Sequence, residues 1–151
     1  MADMLKLKNI KILDGVKDWK EAIYVAVNPL VEQGYCEQRY IDGIIENTKK
    51  YGPYYVLCEN LALIHARSEQ GVIKQQLAIT VLKHPIKFKK DGFNVRILIA
   101  LAAKDQQSHI QAMQAISNIF TDNMRVQKIL NSTKSEDIYS IFVNSIDKID
   151  K

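Results

Sequence analysis

Cysteine and histidine are both scarce in this sequence, and the scarcity closes several routes to function. The two cysteines, Cys36 and Cys58, do not form a Cys-x-x-Cys pair. They read as free thiols in a reducing compartment, not as a disulfide framework. The three histidines, His65, His84 and His109, make no His-x-x-x-His pair and no Cys/His cluster, so no metal site is foreseen. No Gly-x-x-x-x-Gly-Lys loop cradles a nucleotide phosphate. No Gly-x-Ser-x-Gly turn presents a nucleophilic serine. No apolar run approaches the roughly 18 residues of a membrane span. Met1 to Lys6 has no apolar signal core, and the expectation is a cytoplasmic protein.

Charge of one sign is also modest. The net charge is +4, and lysines dominate it. The densest basic stretch holds Lys83, Lys87, Lys89 and Lys90, with Phe88 as its only aromatic and no arginine. A nucleic-acid footprint is usually an arginine-rich stripe or a recognisable motif. A solvated strand edge protected by lysines is the better reading, and nucleic acid is not an expected partner.

What remains is an ordinary globular composition, 47% hydrophobic and 25% charged over 151 residues. A domain of this size buries about 68–70% of its unfolded surface and needs no staple. No linker, repeat or low-complexity tract divides the chain, so residues 1–151 read as a single domain.

Ile10 to Leu13 predicts a short first strand. Asp18 and Glu21 have capping spacing, and Trp19, Ala22, Ile23, Ala26, Val27 and Leu30 then recur at helical spacing. Pro29 must kink that helix or mark its last turn, because it cannot donate to the carbonyl of Val25. A second helix is expected from Glu37 to Lys50, broken by Tyr51-Gly52-Pro53. Tyr55–Cys58 and Leu61–His65 read as short strands, and Arg67–Gly71 as a polar loop. Leu77, Ile79 and Val81 alternate, as in a half-buried strand, with Pro85 at an edge or bulge. Val95–Ala103 is nearly all apolar, which predicts a central strand buried on both faces. Ser108 with Gln111 predicts a capping box for a third helix, and two shorter helices follow near 122–130 and 135–146. Helices on either side of a run of strands predict an α/β sandwich, a mixed sheet covered on both faces.

His65 stands where a strand gives way to a polar loop, with Arg67 two residues on. Strand ends in open α/β folds gather functional groups. A neutral imidazole nitrogen there is a competent nucleophile, and an arginine suits phosphoryl oxygens. The same residues also read as a surface histidine beside a surface arginine. His109 follows the expected cap at the end of an apolar stripe, near helix N–H groups that favour an anion. It reads equally as a half-buried histidine that serves its own helix. His84 precedes Pro85 amid lysines and reads as exposed.

The segment Leu61-Ala62-Leu63-Ile64-His65-Ala66-Arg67-Ser68-Glu69-Gln70-Gly71-Val72 resembles the phosphohistidine signature of the mannitol/fructose-type IIA superfamily of bacterial sugar phosphotransferase systems. That signature typically reads Gly-Ile-Ala-Leu-Pro-His-Ala-Arg-Pro-Glu-x-Gly-Val. Tyr51-Gly52-Pro53-Tyr54 resembles a turn of the ascorbate branch, and Ile99 to His109 resembles the segment that brings a second histidine to the site. The departures are Ile64 and Ser68 in place of prolines, a missing Pro-Gly near Glu59-Asn60, and Asn47 where the mannitol branch carries arginine.

The resemblance implies a mannitol-type IIA fold and a phosphohistidine carrier without metal or cofactor. It implies His65 as phosphoacceptor, with His109, Arg67 and backbone N–H groups near Ser108 holding the phosphoryl oxygens. It implies a histidine phosphocarrier protein as donor, a IIB component as acceptor, and a membrane IIC component as indirect partner, with ascorbate or a related sugar at the end. Self-association into a homodimer is left open. Two other classes of function fit the same residues: a IIA-like regulatory phosphoacceptor, and a degenerate binding module without transfer.

Overall fold

A computed structural model describes residues 4–149. The strands are β1 (Leu5–Leu13), β2 (Val56–Cys58), β3 (Asn60–Ile64), β4 (Gln76–Lys87) and β5 (Asn94–Ala102). The helices are α1 (Trp19–Glu32), α2 (Gln38–Tyr51), α3 (Gln106–Phe120), α4 (Asn123–Leu130) and α5 (Ser135–Ile149), with a 3₁₀ turn at Ser68–Gln70. They build a five-stranded sheet in the order β1-β4-β5-β3-β2. The β1–β4 and β3–β5 pairs are parallel, and the β4–β5 and β2–β3 pairs antiparallel. This is the mixed-sheet α/β sandwich that the order of elements predicts.

β5 lies at the centre and is buried on both faces, as its apolar run predicts. Successive side chains of a strand point to opposite faces. Ile97, Ile99 and Leu101 therefore join one core with α3, α4 and α5. Leu98, Ala100 and Ala102 join the other, beneath α1 and α2.

β4 departs from expectation. Its residues Gln76 to Leu82 are all buried, whereas the alternation predicts a half-buried strand. The polar-looking positions are small or paired: Ala78 and Thr80 let α1 pack directly across the strand, and Gln76 is fully buried with a partner. β1 is also longer than expected, because Lys6 and Lys8 hide the pairing of Leu5 with Leu77. The β1–β4 pairing stops at Leu82, so Lys83, His84 and Pro85 project beyond it, exposed. The β4–β5 register slips between Val81 and Ile86, the stretch that holds Pro85. Phe88 is buried, its ring edge-on to Tyr55 at 5.3 Å, and not displayed among the lysines.

Asp18 caps α1, its side chain accepting from the Glu21 N–H at 2.9 Å. Pro29 lies inside the helix without ending it. The reason is in β1: the Lys11 ammonium donates to the Val25 carbonyl, the acceptor that Pro29 leaves unmatched, at 2.6 Å. Burial pulls the Lys11 pKa down, with Glu32 opposing the shift. α2 ends at Gly52, whose φ of 80° is open to glycine at little cost. Asn60, at φ 70°, takes the left-handed position that opens β3 after the turn from β2, a conformation asparagine tolerates better than most.

The Lys11–Val25 contact is testable by a double-mutant cycle. Lys11→Met leaves a helix carbonyl unsatisfied and should cost about 1–3 kcal/mol in urea unfolding. In a Pro29→Ala background, residue 29 regains an N–H for that carbonyl, and most of the loss should disappear.

Candidate active site

The site follows from strand direction. β3 and β5 run parallel, with Ile64 opposite Ala100, so their C-terminal ends lie side by side. His65 leaves the end of β3. Residues 103–105 lead from the end of β5 into α3, which carries His109 in its first turns. The two imidazole centroids are 5.4 Å apart, tilted by 46°. Both rings, with Arg67, line one cleft of about 830 Å³ that also admits Asn47, Tyr54 and Gln106. His84 lies on the far side of the sheet edge, because β4 runs antiparallel to β5.

His65 is partly buried, and its Nδ1 stands 2.6 Å from the Leu63 carbonyl oxygen. A carbonyl only accepts, so Nδ1 carries the proton and Nε2 holds the free lone pair. Burial holds the His65 pKa below its ordinary value, the Leu63 hydrogen bond opposes, and the charge of His109 adds to the depression. Near neutral pH the ring is therefore uncharged, the state in which Nε2 is nucleophilic.

The cap of α3 differs from the expected one. Asp105, not Ser108, is the N-cap, and its carboxylate accepts from the Ser108 N–H at 2.8 Å. The His109 N–H already donates to the Asp105 carbonyl at 3.2 Å. The Ser108 and His109 N–H groups are thus both engaged by Asp105, and the hydrogen bonds from Ser108 lower the pKa of its carboxyl. Asp and Ser are both good caps, and with the cap three positions earlier than expected, the longer helix satisfies more backbone. His109 still faces the cleft, from the second turn.

Arg67 is on the rim, its side chain 80% exposed and 3.6 Å from Glu69. An ion pair so exposed holds the guanidinium loosely. Asn47, the position noted for its missing arginine, does project into the cleft, where its amide pairs with Gln70 at 3.0 Å. Sequence reasoning did not single out Tyr54, whose hydroxyl donates to the His65 carbonyl at 2.6 Å. The Tyr51-Gly52-Pro53-Tyr54 turn was the available signal. Among the described residues, no group of three or more His, Cys, Asp and Glu is placed to hold a metal ion, and no helix is long and apolar enough to cross a membrane.

The family model described as Phosphoenolpyruvate-dependent sugar phosphotransferase system, EIIA 2, matches residues 3–145. The chain belongs to this family. EIIA 2 proteins are phosphotransferases that carry phosphate between proteins. The mannitol-specific cryptic phosphotransferase enzyme IIA component of Escherichia coli (strain K12) is 30% identical over 141 residues, covering 93% of this chain and 96% of its own. The ascorbate-specific PTS system EIIA component of the same strain is 33% identical over 124 residues, covering 81% and 80%. The solution structure of the mannitol-specific cryptic enzyme IIA CmtB from Escherichia coli superposes with a TM-score of 0.86 at 30% identity, over 95% of this chain and 97% of that one.

The depressed pKa of His65 has a definite sign. The folded EIIA 2 domain favours the neutral ring, so this group's contribution to stability is complete above pH 6.5 and declines as the pH falls through the lower folded value. An NMR titration should place the His65 midpoint below 6.5. His109→Ala removes a neighbouring charge and some burial, and should move that midpoint up.

Proposed function

We propose that this EIIA 2 domain accepts a phosphoryl group on Nε2 of His65 from a histidine phosphocarrier protein and hands it to a IIB component. The observation that carries the reading is the pairing of the two rings at 5.4 Å, with His65 Nδ1 anchored to Leu63. The Nε2 lone pair attacks the phosphorus of the donor's phosphohistidine. The new N–P bond forms as the old one breaks, and the donor imidazole leaves with that electron pair. A cysteine thiolate of IIB then attacks the phosphorus, and Nε2 recovers its lone pair. No metal or diffusible cofactor takes part.

His109 stabilises the transferring oxygens, as a neutral donor or as a stronger charged one. Arg67 joins from the rim, exchanging Glu69 for phosphoryl oxygens. With the Ser108 N–H engaged by Asp105, these side chains carry the stabilisation. The chain acts as one EIIA domain in the cytoplasm, and the membrane IIC component receives the phosphate only through IIB. The ascorbate-named relative and the Tyr51–Tyr54 turn favour ascorbate or a related sugar as the final acceptor.

Reconstitution with radiolabelled phosphoenolpyruvate and purified general components tests this. The wild-type protein should take up acid-labile label and pass it to IIB. A regulatory phosphoacceptor would label and stall, and a degenerate module would stay unlabelled. His65→Gln should fold and take up no label, and full labelling of that variant refutes the assignment. His109→Ala should still label, with transfer to IIB slowed roughly ten- to a hundred-fold, the equivalent of one lost charge-assisted hydrogen bond.

A further inference from the structure

The loop that follows His65 contains nothing that stiffens a backbone by itself. The prolines of the chain are Pro29, Pro53 and Pro85, so no residue from Ile64 to Lys74 has its φ fixed by a ring. Yet one peptide group in this loop is held at both of its polar ends. The His65 carbonyl accepts from the Tyr54 hydroxyl at 2.6 Å. The Ala66 N–H, which belongs to the same planar unit, donates to the Tyr40 hydroxyl at 2.9 Å. In a trans peptide these two groups point in opposite directions, so the two bonds together fix the plane and its rotation.

The two tyrosines are themselves anchored. Tyr40 is fully buried, and its own proton goes to the Leu101 carbonyl at 2.8 Å, closer than the Ala66 carbonyl at 3.3 Å. Leu101 lies next to the end of β5, whose continuation carries α3 and His109. One hydroxyl thus ties the His65 segment to the His109 segment. Burial raises the Tyr40 pKa, which keeps this proton in place. The Tyr54 ring packs edge-on against His65 at 5.8 Å and against Tyr55 at 5.0 Å. Tyr55 in turn shares a hydrogen bond with Thr48 at 3.0 Å. Tyr40 stands in the first turn of α2 and Tyr54 just past its end, so the helix sets the spacing of the two hydroxyls.

We propose that Tyr40 and Tyr54 form a clamp on the His65–Ala66 peptide and are positioning residues for phosphoryl transfer, an inference that rests on His65 being the phosphoacceptor. Their hydroxyls bind backbone and do no chemistry themselves. In-line transfer needs the reacting atoms about 3–3.5 Å apart, and a displacement of about 1 Å can cost a hundred-fold. Losing either bond would free the backbone at His65 to shift, carrying the imidazole with it and loosening the Nδ1 contact with the Leu63 carbonyl that leaves Nε2 free.

Tyr40→Phe, Tyr54→Phe and the double variant of the full chain test the clamp, using the purified phosphorylated phosphocarrier as donor. Each single variant should lower the rate of acceptance at saturating donor about tenfold: Tyr40→Phe removes the buried acceptor of the Ala66 N–H along with its own bond to Leu101, and Tyr54→Phe removes the bond to the His65 carbonyl. The half-saturating donor concentration should stay unchanged, because docking is untouched. ¹⁵N NMR of the imidazole should show the Nδ1–H tautomer in the wild type and a mixture in the variants. The clamp is overturned if the wild type labels and both variants label equally fast, or if the loss appears as a higher half-saturating concentration at unchanged maximal rate. Tyr54 is 39% exposed, so its substitution leaves the core intact and decides the matter should Tyr40→Phe fail to fold. If the wild type itself takes no label, the phosphocarrier reading fails, and an unchanged tautomer in the variants would then sink the clamp separately.

Discussion

The parallel pairing of β3 with β5 is the constraint on which the site depends. It sets Ile64 opposite Ala100 and so brings the ends of both strands to one edge. One end releases His65, and the other leads into the helix of His109. The pairing is stable because β5 is buried on both faces, its alternate side chains filling two separate cores. Without helices on both sides, a strand as apolar as Val95–Ala102 would leave one face unsatisfied. The two-sided cover and the two-histidine cleft are consequences of the same strand.

Electrostatics in the cleft is restrained. His65 is kept neutral chiefly by burial, Arg67 is exposed and already paired, and Asp105 engages the Ser108 N–H. Asn47 and Gln70 supply neutral amides to the cleft. For the proposed carrier this balance has a physical logic. A phosphoryl group that is received from one protein and passed to another must not be held too firmly, since ground-state binding slows the second step. Positioning therefore carries more of the burden than charge, and the backbone contacts around His65 matter accordingly.

The same principle of borrowed partners appears at Pro29. A helix-breaking residue is tolerated because a lysine from the neighbouring strand reaches the carbonyl it orphans. Local rules allow a kink there or the last turn of α1, and Pro29 stands at the start of that last turn. The tertiary contact lets it run on to Glu32, which completes the cover over β4 and β5.

By itself, the amino-acid order determined the elements whose signals are local. The apolar run of β5, the stripe of α1 with its Asp18 cap and the break at Gly52-Pro53 all follow from residues close together in the chain. The motif around His65 was likewise local, and it was enough to indicate the family. Other features required the folded chain. Whether Asp105 or Ser108 capped α3 could not be read locally, because both are good caps and the choice depends on where β5 releases the chain. The burial of Gln76 to Leu82 in β4 depended on α1 lying across Ala78 and Thr80, and no alternation of its own residues encodes a neighbour. The contact of Tyr40 with Ala66 and Leu101 joins positions 26 and 61 residues apart. A side chain that meets its partners only after β3 and β5 have paired leaves no periodic trace in the sequence, and only the tertiary structure could reveal it.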